Sequence, residues 1–311
     1  MAITAAMVKE LRETTGAGML DCKKALTETD GDMDKAIELL REKGLAKAVK
    51  KAGRIAAEGV AMFKVEGQKA CIVEVNIETD FAAKTDKFQN YVTQVCEQAM
   101  DTQSADLEAF LAEAWKADPS KTVEEARAAA IADIGENVQI RRFAQMTEEN
   151  GFIASYSHAG GKIGVLLDVE TDVVNDEIRE MGKNICMQIA ALRPQYTSDA
   201  EVSADYIANE EKILMAQIMN DPKESQKPEK VIKGMIQGRI KKELKEICLM
   251  DQVYVKAEDG KQSVAAYVKE VAKANGANIA IKGFIRFETG EGIEKKEENF
   301  AEEVAKQIGG N

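Results

Sequence analysis

The chain has 311 residues, 42 Lys+Arg against 54 Asp+Glu, a formal charge of −12 and 45% apolar content. That is enough for one large domain or about two to three small ones. Aromatics at 5% and a single Trp favour helix-rich aliphatic packing over a β-sandwich, and the acidic balance argues against wholesale wrapping of nucleic acid.

The only histidine, His158, excludes a metal site with two His ligands and any His–His acid/base pair. Five cysteines (Cys22, Cys71, Cys96, Cys186, Cys248) lie far apart with no C-x-x-C. They read as small buried hydrophobes in a reducing compartment. The N-terminus enters an amphipathic acidic pattern directly, unlike a signal peptide, and no apolar run approaches the ~18 residues of a membrane span. The expectation is a soluble, cytoplasmic protein without a membrane partner.

Residues 1–54 predict three short helices and a basic tail. Thr4 caps the first, with Met7, Val8 and Leu11 as its stripe and Gly16 as its stop. The second starts near Gly18 and carries Met19, Leu20, Cys22, Ala25 and Leu26. After Asp30-Gly31-Asp32 a third, capped by Asp32, bears Met33, Ala36, Ile37, Leu39 and Leu40 and closes at Gly44. Three such helices make a small docking module with a marginal core. The basic tail (Lys43, Lys47, Lys50, Lys51, Arg54) is a contact for RNA or an acidic partner, or a solvated face between domains. No aromatics interleave with its charges, which favours the solvated face.

From Val60 the apolar period becomes two. A strand with Met62, Phe63 and Val65 turns at Glu66-Gly67 into a second strand, 71–75, and residues 86–100 then carry Phe88, Tyr91, Val92, Val95 and Ala99 at helical spacing. This unit recurs: Glu78-Thr79-Asp80 returns 92 positions later as Glu170-Thr171-Asp172. Val73, Val75 and Ile77 align with Val165, Leu167 and Val169, and after a two-residue gap Phe88, Val95, Cys96 and Gln98 align with Ile178, Ile185, Cys186 and Gln188. Gly67 falls opposite Ala159-Gly160. The pattern predicts an α+β chain with two related antiparallel β-β-α subdomains, helices over 106–134 and a connecting strand over 136–148.

Residues 201–250 predict an inserted helical hairpin. Tyr206, Ile213, Met215, Ile218 and Met219 lie on one helix, and Val231, Met235, Ile240, Leu244 and Ile247 on the other. Its stripe needs cover from the parent domain or from a second copy, so a homodimer through 201–250 is an option. A helix over 262–275, a strand over 279–287 and a short C-terminal helix with Phe300, Val304 and Ile308 complete the chain. The expected boundaries are 1–54 for the docking module and basic linker, 55–140 for the first subdomain, 141–200 with 251–288 for the second, 201–250 for the hairpin and 289–311 for a C-terminal module.

Catalytic constellations are scarce. There is no G-x-S-x-G elbow, Walker loop or complete G-x-G-x-x-G. Gly160-Gly161-Lys162 joins two strands and reads as a hairpin turn, since a phosphate cradle needs a helix N-terminus. Asp80 and Asp172 could each cap the helix after its strand, or serve acid/base chemistry for which no second group can be placed. Phe81, whose repeat counterpart is Val173, is either core or an exposed wedge, and pattern alone favours core. A lone His158 at a turn is ordinarily solvated or locally hydrogen-bonded, with interface contact the minority reading.

Residues 11–26, Leu11-Arg12-Glu13-Thr14-Thr15-Gly16-Ala17-Gly18-Met19-Leu20-Asp21-Cys22-Lys23-Lys24-Ala25-Leu26, resemble the N-terminal signature of bacterial elongation factor Ts. Glu74-Val75-Asn76 with Glu78-Thr79-Asp80-Phe81-Ala82 resembles that family's second signature. Ile134-Gly135-Glu136-Asn137 with Arg141-Arg142, His158 with Ile163-Gly164-Val165, and Gly283-Phe284-Ile285-Arg286-Phe287 with Gly290-Glu291-Gly292-Ile293-Glu294-Lys295 follow in the family's order.

The resemblance covers essentially the whole chain. It implies a guanine-nucleotide exchange factor for elongation factor Tu, a non-enzyme with no cofactor of its own, since GDP, GTP and Mg²⁺ belong to the partner GTPase. It further implies that the three-helix module is similar to ubiquitin-associated domains and docks through Arg12, Met19, Leu20 and Lys23. Thr79, Asp80, Phe81 and Ala82 would enter near the partner's Mg²⁺, with Phe81 as the wedge, and Ile134, Gly135 and His158 would help grip the partner. No direct nucleic-acid contact is implied. The family usually carries Val where Ala82 stands and Asn where Thr85 stands. The rival reading is an RNA-binding accessory protein using Lys43–Arg54.

Overall fold

The computed structural model describes residues 3–15 and 19–294. The helix stop at Gly16, the start at Gly18, the C-terminal helix with Phe300, Val304 and Ile308, and most of the 289–311 module lie outside the described residues.

Three helices open the chain: α1 (Ala5–Thr15), α2 (Met19–Glu28) and α3 (Met33–Lys51). Val8, Leu11, Cys22, Ala25, Leu26 and Ala36 form their core. Asp32 caps α3 through the Lys35 amide, as expected. Gly44, however, does not close α3, which continues to Lys51. The reason is tertiary: the second half of α3 lies on a later helix, α7 (Val123–Ile134), and Ala48 is buried in the first subdomain's core. One internal glycine costs about 1 kcal/mol of helix propensity, which packing of this kind overrides. The basic tail is accordingly helical as far as Lys51, and three of its charges meet protein partners. Lys43 pairs with Glu28, Lys51 donates to the Gly135 carbonyl and Arg54 faces Glu78.

Strands β1 (Glu58–Glu66) and β2 (Lys69–Ile77) form the expected hairpin. A one-turn helix, α4 (Asp80–Ala83), and α5 (Asp86–Asp101) follow, then α6 (Leu107–Ala112), α7, and β3 (Val138–Thr147). The strand read as a connection pairs antiparallel with β2 and completes a sheet of order β1-β2-β3, running past position 140 to Thr147.

The second half repeats the plan. Strands β4 (Gly151–His158) and β5 (Ile163–Thr171) precede α8 (Asp176–Leu192), and α11 (Val264–Asn275) leads to β6 (Ile279–Glu288), giving the order β4-β5-β6. Even a loop latch is duplicated. Gln98 binds the Ala114 carbonyl and the Lys116 amide, and Gln188 binds the Val253 carbonyl and the Val255 amide.

The insertion, α9 (Ala204–Asn220) and α10 (Glu229–Ile247), is a helical hairpin. Its core is Ile218, Ile232, Ile236 and Ile240, while Met219, Val231 and Ile213 are exposed. On α10 the expected Met235, Ile240 and Leu244 do pack in the hairpin core, and only at the start of the helix does Ile232 face inward in place of Val231, about 100° away on a helix. The two helices cover each other's stripes, so burial does not itself require a second copy.

Side-chain alternation builds four layers. Cys71, Val73, Val75 and Ile77 of β2 face α5 and α7, and Val165, Leu167 and Val169 of β5 face α8 and α11. The opposite faces pack sheet on sheet through Ala61, Ala70, Ile72, Ile153, Leu166 and Phe287. Being buried on both faces, β2 reads as a nearly continuous apolar run. One charged residue sits inside this run: Glu74 is fully buried. Its carboxylate accepts from Arg141 Nη1 (3.0 Å), Arg142 Nε (2.6 Å) and the Gly290 amide (2.8 Å), tying both halves together. Elsewhere the interface is edged by Asp168, paired with Glu148 and raised to about 7 by burial first and then by that neighbour.

All five cysteines are buried, and no disulfide forms among the described residues. No helix among the described residues is long and apolar enough to cross a membrane.

Candidate functional site

The Phe81 turn is constructed from both of its ends. Thr79 caps α4 by accepting the Ala82 amide (3.2 Å), and Thr85 caps α5 by accepting the Phe88 amide. These threonines do the capping that Asp80 was considered for. In the second half Asn175 caps α8, whereas Asp172 accepts from the Asn278 amide and side chain. Asp80 instead pairs with Lys84 at 2.7 Å, and that hydrogen bond holds its carboxyl below the usual carboxylate range.

Between these caps Ala82 and Ala83 point into the core, and Phe81 points out, 80% exposed. The core reading of Phe81 is thereby overturned. A four-residue helix leaves its first side chains no neighbouring turn to pack on, and the inward positions are already filled by alanines. Ala82 is buried in the core at this turn.

The loop after α7 braces this turn. Gly135, at φ +92°, ends α7 in the left-handed region that glycine reaches without a side-chain penalty. Glu136 then accepts from the Thr79 amide (3.0 Å) and hydroxyl (2.9 Å), and the Asn137 amide donates to Glu78 (2.6 Å). Asn137 also donates to the Arg54 carbonyl and Lys51 to that of Gly135, so the end of α3 joins the same junction. Ile134 is half-buried and Gly135 exposed here.

The β4–β5 hairpin reaches the same end of the molecule. Ala61 donates to the Gly161 carbonyl, Lys162 pairs with Glu58, and the Lys162 ammonium acts on Asp80. The residues Ala159, Gly160 and Gly161 all have positive φ, as a tight turn demands. His158 is exposed beside this turn, its Nδ1 at 3.0 Å from the Tyr156 hydroxyl. Thr79, Asp80, Phe81, Ala82, Ile134, Gly135 and the His158 hairpin are thus gathered around one end of the inter-sheet interface.

Arg12, Met19, Leu20 and Lys23 form a separate surface. Leu20 is 75% and Met19 57% exposed, and Lys23 lies one turn beyond both on α2. Helix α2 packs on α1 and α3, and α4 packs on β1, β2 and α5. The two surfaces are linked through α3 and the Lys51 and Arg54 contacts. Sequence reasoning missed those two roles, as well as Glu78 and Glu136, because each depends on a partner 24 to 84 positions away. Among the described residues no group of three or more His, Cys, Asp or Glu could hold a metal ion.

A family model described as Elongation factor TS matches residues 78–291. The elongation factor Ts of Clostridium perfringens (strain 13 / Type A) is 50% identical over 309 residues, covering 99% of either chain. That of Clostridioides difficile (strain 630) is 49% identical over 308 residues, 98% of this chain and 99% of the relative. That of Clostridium tetani is likewise 49% identical over 308 residues.

Proposed function

The chain belongs to the elongation factor Ts family of translation elongation factors, and from that premise we propose that it binds elongation factor Tu carrying GDP in the cytoplasm and promotes GDP release, clearing the site for GTP. The observation that carries this reading is Phe81, a large aromatic exposed on a capped and braced turn. Exposed aromatics held rigidly are unusual in a folded surface and typical of interface anchors.

In this reading no covalent bond is made or broken on this chain, and GDP and Mg²⁺ are held by the partner. A factor that binds the empty GTPase better than the GDP form must weaken GDP by the same ratio, because coupling between two ligands is reciprocal. Speed needs a ternary complex in which the nucleotide cradle is already deformed. Phe81 entering between two partner helices supplies the deformation, since packed interfaces switch between discrete arrangements. The adjacent Asp80, held ionised by Lys84, brings a carboxylate to a site organised around Mg²⁺ and phosphate. Carboxylates are hard-cation ligands and are repelled by phosphate, so its approach favours departure of both.

Arg12, Met19, Leu20 and Lys23 supply docking energy away from the nucleotide, and Ile134, Gly135 and His158 flank the wedge. The RNA-binding alternative loses ground because Lys43, Lys51 and Arg54 already have protein partners.

The test is equilibrium linkage. GDP affinity of elongation factor Tu is measured across a titration with this chain, and the chain's affinity is measured with and without saturating GDP. The two weakening factors should agree and greatly exceed one. GDP affinity unchanged at saturating chain would refute the proposal.

A further inference from the structure

The internal duplication offers a comparison for the Phe81 turn inside the same chain, although the stretch from the threonine to the next helix cap is two residues shorter in the second half, Thr171 to Asn175 against Thr79 to Thr85. Gly135-Glu136-Asn137 joins α7 to β3, and Gly276-Ala277-Asn278 joins α11 to β6. Both glycines are left-handed, at φ +92° and +58°, and both asparagines clasp an acid in the repeated Glu-Thr-Asp segment. The middle residue differs, Glu136 against Ala277.

The two threonines also bond differently. Thr79 donates its hydroxyl proton to Glu136 (2.9 Å), which leaves oxygen lone pairs facing the Ala82 amide (3.2 Å). A one-turn helix results, with Phe81 outward. Thr171 has no carboxylate above it. Its hydroxyl donates to the Val173 carbonyl (3.0 Å) and accepts the Val173 amide (3.3 Å), no helix forms before α8, and Val173 packs inward on the core.

We infer that Glu136 is the positioning residue for the exchange wedge: its two hydrogen bonds fix the Thr79 cap and so hold Phe81 presented before the partner arrives. This rests on the proposed wedge role of Phe81 and adds the device that sets it. A one-turn helix is unstable alone, because nucleation orders several residues for a single hydrogen bond. Removing the brace frees the Thr79 hydroxyl and weakens the cap, so the turn frays and Phe81 loses its fixed outward direction. Binding through α2 is untouched, so the effect falls on the maximal rate and spares affinity.

The test is stopped-flow release of a fluorescent GDP from elongation factor Tu over a range of factor concentrations, with thermal unfolding of each variant. Glu136→Ala should lower the saturating release rate about tenfold, the scale of losing charged hydrogen bonds at a positioned group, with less than about a twofold change in half-saturating concentration. Glu136→Gln should recover part of the rate, since its amide oxygen still accepts the Thr79 hydroxyl. In a Phe81→Ala background Glu136→Ala should cost nothing more, and in a Thr79→Ala background it should cost less than it does alone, because only the Thr79 amide still donates to it.

A full rate for Glu136→Ala alongside a slow Phe81→Ala would overturn the bracing role and leave the wedge standing. A full rate for Phe81→Ala would overturn the wedge and the brace with it. A loss in Glu136→Ala that adds in full to that of Thr79→Ala, or that tracks a fall in melting temperature and is not recovered by Gln, would make Glu136 a general structural residue and reject the inference.

Discussion

Glu74→Ala should be among the most damaging single substitutions in the fold. The carboxylate is fully buried and accepts three hydrogen bonds, from Arg141, Arg142 and the Gly290 amide. The Gly290 amide is buried, and leaving it unpaired costs about 1–3 kcal/mol. The two charged hydrogen bonds are each worth about 1.5–3 kcal/mol. Arg141 and Arg142 keep 31% and 33% of their side chains in solvent. They rehydrate in part, which discounts those terms. The net is about 3–5 kcal/mol, the range for breaking a buried pair by removing one partner. Against a typical total of about 5–15 kcal/mol that is a large fraction.

Urea unfolding followed by far-ultraviolet circular dichroism measures this, and Glu74→Gln, which keeps one acceptor oxygen, should lose less. Adding Arg142→Ala to Glu74→Ala should cost at least about 1 kcal/mol less than the two single losses together. A Glu74→Ala loss below about 1 kcal/mol, or simple additivity with Arg142→Ala, would refute the claim that this carboxylate fastens the two halves.

Three further outcomes are expected. Gly290→Ala combines φ +74° with overlap between the new Cβ and the Ala57 carbonyl, so it should cost more than Gly67→Ala, whose φ of +60° faces open space and which should lose about 1–2 kcal/mol; denaturant midpoints of the two variants decide it. Asp168 has its carboxyl raised to about 7 by burial and by Glu148, with Glu170 adding to the rise and Lys282 opposing it. Its stabilising contribution is full below the ordinary carboxylate value of about 4 and is lost as pH climbs through about 7, so Asp168→Asn should flatten the stability–pH curve over that interval, and parallel curves would count against the assignment. Leu20→Ala, at an exposed position, should leave stability within about 0.5 kcal/mol yet raise the half-saturating concentration for nucleotide release at an unchanged maximal rate; a change in the maximal rate alone would remove Leu20 from the docking surface.

The duplicated Glu-Thr-Asp segments were legible in the sequence because strand ends and helix starts are written in local residue types. The pairing of β3 with β2 and of β6 with β5 was not, since strand partners are chosen by packing across long chain distances. Gly44 carried a local stop signal that the α3–α7 contact overrode, and Val231 was placed inward because adjacent β-branched residues leave the helix phase ambiguous. Phe81 was named from its motif, but its exposure follows from Ala82 and Ala83 filling the inward positions beneath it. The brace at Glu136 was invisible for a similar reason. It acts on Thr79 across 57 positions, and no local residue pattern records that pairing.

The central claim is that this chain speeds nucleotide release through Phe81. The most direct measurement is stopped-flow release of a fluorescent GDP from elongation factor Tu, with the native chain and with Phe81→Ala. Phe81 is 80% exposed, so the variant should match the native chain in stability to within about 0.5 kcal/mol. It should also lose about 2 kcal/mol or more of the acceleration, which is at least roughly 30-fold in rate. Acceleration that survives in the folded variant would contradict the wedge, and no acceleration by the native chain at any concentration would contradict the exchange function itself.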